Sequence, residues 1–166
     1  MEILFDEQLV TARRERALQR DQGARFLLEI AGRELAERLA VVERHFDDAV
    51  ELHGGTGIAA RYAAATGKLD QIRRAETSAA FGNGDASLLE AGLGEVPLEP
   101  ASTNLVLSPL SLHLVNDLPG TLIQIRRALK PDGLMLAAIP GAGTLSELRD
   151  VLLSAEAELT GGASPR

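Results

Sequence analysis

Two kinds of hydrophobic spacing divide the chain near residue 48. Across residues 6–42 apolar side chains recur every three or four positions. Leu9 and Ala12, with Arg13 and Arg16, begin an amphipathic turn, and Phe26, Leu27, Ile30, Leu35 and Leu39 follow at helical spacing. This predicts two helices with those apolar positions in the core. After Asp47-Asp48 the pattern becomes short apolar runs bounded by glycines and alternating with helical stretches. Strands are expected at residues 49–53, 69–74, 79–81, 104–108 and 134–139, and helices at 57–65, 118–129 and 144–158. Such alternation predicts an α/β fold, a doubly wound and mostly parallel sheet with helical crossovers. Lys130-Pro131-Asp132-Gly133 should end the second of these helices, because proline cannot continue it and glycine can take the positive φ. Residues 85–102 show no clear period and are expected to hold at most a turn of helix.

Composition narrows what such a sheet could serve. The chain has 166 residues, 45% of them hydrophobic, enough for one domain with its own core. Residues 1–47 would form N-terminal helices and residues 48–166 a ligand-binding core. With no cysteine, disulfides and thiolate chemistry are excluded. The histidines His45, His53 and His113 lack metal-ligand spacing, so no metal is expected. A formal charge of −7, with no Lys or Arg between Ala75 and Ile125, argues against nucleic acid as a partner. No apolar run approaches the roughly 18 residues of a membrane span, and the acidic start MEILFDEQLV does not suit a signal peptide. A soluble, cytoplasmic chain is the expectation.

The candidate chemistry begins where the first strand runs into Glu51-Leu52-His53-Gly54-Gly55-Thr56-Gly57 and then a helix. Glycines at such a turn let backbone approach a ligand, and the helix N-terminus offers unpaired N–H groups beyond it. The same turn serves a dinucleotide, S-adenosylmethionine, or no ligand at all. Glu76 follows near the end of the second strand, where a carboxylate can accept from both hydroxyls of a ribose. Asp85, in Gly84-Asp85-Ala86, is placed to receive an adenine amino group, or simply to make a turn.

The C-terminal half separates these readings. Ser111-Leu112-His113-Leu114-Val115-Asn116-Asp117-Leu118-Pro119-Gly120 and Leu129-Lys130-Pro131-Asp132-Gly133 resemble class I S-adenosylmethionine-dependent methyltransferases. The first motif is similar to the branch holding the biotin-pathway malonyl-acyl carrier protein methyltransferase and a mitochondrial complex I assembly factor. Phe5-Asp6 with Arg13, Arg14 and Arg16, Gly143-Thr144-Leu145-Ser146-Glu147-Leu148-Arg149 and the terminal Gly161-Gly162-Ala163-Ser164-Pro165-Arg166 also look like that branch. The resemblance implies a Rossmann-like fold and a pocket for S-adenosylmethionine built from Glu51, His53, Gly54, Gly55, Gly57, Glu76 and Asp85. It implies a loop bearing Ser111, His113 and Asn116 that faces this pocket, and a small-molecule, acyl carrier-linked or protein methyl acceptor. Relatives usually carry Asp at position 51 and Gly at position 53, so the imidazole of His53 is expected to limit cofactor affinity. They also continue past the final Gly-Gly-Ala-Ser-Pro-Arg. The core is therefore expected to be C-terminally truncated, with strand five exposed as an edge through which two copies could pair. The leading function is methyl transfer, with catalytic residues unassigned. A non-catalytic assembly or scaffolding protein is the alternative, and hydroxylation of a protein arginine ranks below both.

Overall fold

The computed structural model describes residues 3–20 and 25–161. Two helices, α1 (Glu7–Arg20) and α2 (Phe26–Ala40), precede β1 (Ala49–Leu52), α3 (Ile58–Ala65), β2 (Ile72–Glu76) and β3 (Leu89–Glu90). The chain continues through β4 (Thr103–Pro109), α4 (Leu118–Ala128), β5 (Leu129–Ala138) and α5 (Ser146–Thr160). The five strands are all parallel, in the order β3-β2-β1-β4-β5. That order reverses between β1 and β4. The carboxyl ends of the strands at this reversal form the crevice where sheets of this kind hold ligands.

Period-two alternation sends the central strands' side chains to two cores. Ala49, Leu105 and Leu107 pack with Leu39 of α2, Ala63 of α3 and Phe46 on one face. Val50, Leu52, Ala75 and Val106 pack with Ile125 of α4, Leu112 and Leu129 on the other. Helices α2 and α3 approach closely because Gly32 has no Cβ; one built there would lie 3.1 Å from the Ala59 Cα.

The expected parallel sheet is present, with several local corrections. Residues 79–81 are a 3₁₀ turn rather than a strand, since the Ser78 hydroxyl accepts from the Ala80 N–H and starts a turn that ends at Asn83 with φ 49°. The third strand lies further on, inside the stretch expected to lack one. It is short because only Ala75 and Glu76 offer it a partner register. In the turn before the fifth strand's apolar run, the positive φ belongs to Asp132, at 63°. Gly133 is required for space instead: a Cβ there would lie 2.8 Å from the Leu129 Cβ. The N-terminal apolar spacing also overstates burial. Leu35 and Leu39 are in the core, but Phe26, Leu27 and Ile30 are 57%, 55% and 52% exposed. They precede the buried Ala31, Gly32, Leu35, Ala36 and Leu39 by which α2 packs into the fold. The terminal Gly162-Ala163-Ser164-Pro165-Arg166 of the expected motif lies outside the described residues.

Candidate functional site

From the end of β1 the backbone turns left-handed at His53 (φ 53°), Gly55 (φ 74°) and Gly57 (φ 67°) before α3 begins. Glycine adopts this geometry without penalty, whereas an L-residue such as His53 loses about 1–2 kcal/mol. Gly54 is fixed by space, because a Cβ would come within 2.5 Å of the Glu51 carboxyl carbon.

Three charged side chains lock this turn. Glu51 is fully buried; its Oε1 accepts from the Ala60 N–H at 3.1 Å and its Oε2 from Arg74 Nε at 3.0 Å. Arg74 also donates from Nη2 to Glu76 Oε1 at 2.8 Å and from Nη1 to the Phe81 carbonyl at 3.0 Å. Glu76 Oε1 further accepts from the Gly55 N–H at 2.7 Å, while Glu76 Oε2 is buried and has no partner. Burial pushes both carboxyls above the usual glutamate range, against the pull of Arg74. Glu51 thus secures α3 and Arg74, and Glu76 offers the free oxygen.

Helix α1 covers the turn. Arg14 donates from Nη2 to the His53 carbonyl, and its guanidinium lies 5.4 Å from the centre of the Phe81 ring. His53 is 3% exposed with neither ring nitrogen partnered; the Glu95 backbone approaches without completing a hydrogen bond. Burial, reinforced by the charge of Arg14, lowers its pKa to about 4. Three cavities open around α1. One of about 130 Å³ is walled by Arg14, Gly54, Gly55 and Thr56. Another of about 370 Å³ lies between the α1 residues Gln8, Thr11 and Ala12 and the pair Thr77 and Leu93. The third, about 420 Å³, runs from Arg14 past Leu28 to Leu110, His113 and Pro140, beyond the ends of β4 and β5.

Of the expected site residues, Glu51, His53, Gly54, Gly55, Gly57 and Glu76 come together. Asp85 does not join them: it is exposed and accepts from the Ser87 N–H and hydroxyl at 2.9 and 2.7 Å, closing its own turn. Within the expected substrate loop His113 lines a cavity. Ser111 is turned into the core, sharing a 2.8 Å hydrogen bond with Ser108 and donating to the Leu52 carbonyl. Asn116 neither faces the pocket nor caps α4, which Asp117 does by accepting from the Gly120 N–H. Its amide instead accepts from the N–H groups of Leu4 and Phe5 and donates to the Phe5 carbonyl and Glu7, clamping the segment that leads into α1. Arg74 and Arg14 were missed as site residues. Period two places Arg74 on the same face as Glu76, a signal that was present. Nothing local showed that Arg14 would reach the turn after β1.

The pattern of the methyltransferase domain family matches residues 50–137. The human mitochondrial arginine-hydroxylase NDUFAF5 is 36% identical over 98% of this chain and 49% of its own length. A malonyl-[acyl-carrier protein] O-methyltransferase from Xylella fastidiosa is 39% identical over 37% of this chain and 21% of its own. A structure assigned as an S-adenosylmethionine-dependent methyltransferase from Methanococcus maripaludis superposes with a TM-score of 0.60 at 17% identity, over 97% of this chain and 75% of that one. An N-methyltransferase from Haemonchus contortus, solved with S-adenosylhomocysteine, gives 0.55 at 25% identity over 74% and 31%. The chain spans about half the length of the curated relatives it matches. The strand order, the glycine turn and these matches together place the chain in the class I S-adenosylmethionine-dependent methyltransferase family.

Proposed function

We propose that the protein binds S-adenosylmethionine at the glycine turn and transfers its methyl group to an acceptor entering past the ends of β4 and β5. The observation that carries this reading is the buried, unpartnered Glu76 Oε2 beside a left-handed glycine turn. A carboxylate oxygen without a donor in the core costs about 1–3 kcal/mol or more, and the hydroxyls of a ribose satisfy it. Glu76 would hold the ribose, with its other oxygen fixed by Arg74 and Gly55 so that the free one is aimed. The bound cofactor supplies a sulfonium methyl already activated for transfer. The protein's part is to exclude water and align the acceptor in line, which is positioning rather than acid–base work. The cavity past Leu110, His113 and Pro140 is mostly apolar, with Arg14 at its inner end. It suits an acceptor with a hydrophobic body.

Two further readings have support. His53 narrows the turn, favouring a protein that keeps the fold for assembly without methyl transfer. The hydroxylase named at 36% identity supports oxidation of a protein arginine. Turnover separates all three. Incubation with S-adenosylmethionine, malonyl-acyl carrier protein and cell-extract proteins, followed by mass spectrometry, should show product gaining the mass of a methylene group. Gain of an oxygen atom instead, in a parallel incubation supplied with dioxygen and a reductant, would favour hydroxylation. No change with a folded, cofactor-binding protein would favour assembly.

A further inference from the structure

We propose that Arg14 on α1 receives the carboxylate at the amino-acid end of the cofactor, so that α1 is both the roof of the site and its anion receptor. This rests on the cofactor reading above and assigns a role that the glycine turn cannot fill alone. At the start of a helix, backbone N–H groups ordinarily meet an anion. Here several N–H groups about the turn are engaged: Gly55 N–H donates to Glu76, Thr56 N–H to the Gly54 carbonyl, Ile58 N–H to the Thr56 hydroxyl and Ala60 N–H to Glu51. Two buried glutamates at the same place, Glu51 and Glu76, would also repel a third carboxylate. An anion seated against this turn therefore needs a cation from elsewhere.

Arg14 meets that need. Its Nη2 is anchored on the His53 carbonyl, and a Cβ on Gly55 would lie 3.0 Å from the same nitrogen, so the guanidinium rests directly on the turn. Its Nη1 is buried without a hydrogen-bond partner, and Arg14 makes no ion pair among the described residues. Burial lowers the pKa of Arg14, opposed by the more distant Glu76 and Glu51. An orphaned guanidinium N–H in the interior is costly, and a carboxylate satisfies it by a charge-assisted bond. The adjoining cavity has walls of Ala17, Leu18, Leu28 and Phe81 beside the glycine turn, and low-dielectric walls strengthen such a pair. At about 130 Å³ it suits the end of a ligand; whole-ligand sites run to roughly 300–1,000 Å³. Arg25 is the other cation on its wall.

Calorimetric titration with S-adenosylhomocysteine and with methylthioadenosine tests the assignment. The second keeps the nucleoside and thioether but lacks the amino-acid carboxylate. Arg14→Gln should lose roughly ten- to a hundredfold in affinity for S-adenosylhomocysteine and stay within about twofold for methylthioadenosine. Should the glutamine variant fail to fold by circular dichroism, Arg14→Lys should show the same selectivity with a smaller loss, because it keeps the charge but not the planar fork. Equal weakening of both ligands, no weakening of either, or a selective loss in Arg25→Gln instead would overturn the role of Arg14. A wild-type protein that binds methylthioadenosine as tightly as S-adenosylhomocysteine would overturn it too, leaving the cofactor site intact. Binding of neither ligand would overturn both the site and the role.

Discussion

His53 concentrates two unfavourable features in one residue: a left-handed backbone at φ 53° and a buried ring without partners. Its sequence position suggested obstruction, but only the structure shows that the ring is desolvated beside Arg14. In the unfolded chain an imidazole takes up a proton near its ordinary pKa of 6.5, whereas in the fold His53 refuses one until about pH 4. Stability from this residue is therefore intact above pH 6.5 and drains as the pH falls to about 4, by on the order of 3 kcal/mol. Glu51 and Glu76, raised by burial, act in the opposite sense, so the comparison must isolate His53. Urea unfolding of wild type and His53→Gly across this range should show a difference that shifts in favour of the variant as acidity rises. A difference independent of pH would refute the account. Glycine also suits the φ and frees space at the turn, so the same variant should bind S-adenosylhomocysteine more tightly. Weaker binding would make the imidazole a contact rather than an obstacle.

At the scale of elements, β2 is the part that organises the site. Strand alternation puts Arg74 and Glu76 on one face, and β1 brings Glu51 alongside at the register Glu51↔Arg74. The glycine turn and Glu76 could be found from sequence because their spacing is local. The bridge could not, since it depends on which strand lies next to β1. The same reason hid the third strand, which exists only through pairing with β2, and the true role of Asn116, whose partners lie more than 100 residues away. Removing Arg74 leaves two fully buried carboxylates without their counter-ion, a change worth about 3–5 kcal/mol. Arg74→Met should lower the denaturation free energy by about that amount in urea titration. A loss under about 1 kcal/mol would show that the two acids are held neutral and need no bridge.

For the whole molecule, a mostly parallel α/β sheet with helical crossovers was readable from the alternation of patterns, and the family from its C-terminal motifs. What that reading could not supply was the cover over the site, because exposed Arg14 and buried Arg14 have the same local sequence. Among the described residues β5 pairs only with β4, and Ala137 within it and Ile139 just past its end are exposed. Such an edge, without charge or proline from Leu134 to Ile139, invites pairing with a second copy. Light scattering over a concentration series should show self-association that Ala137→Lys suppresses. A protein that stays monomeric at high concentration would show that the edge recruits no partner.

If the free oxygen of Glu76 holds the cofactor's ribose as proposed, calorimetry should separate wild type from Glu76→Ala. Wild type should bind both S-adenosylmethionine and S-adenosylhomocysteine, and the variant, folded by circular dichroism, should bind each roughly ten- to a hundredfold more weakly. Unchanged affinity in the variant, or no binding by the folded wild type, would rule out Glu76 as the ribose acceptor.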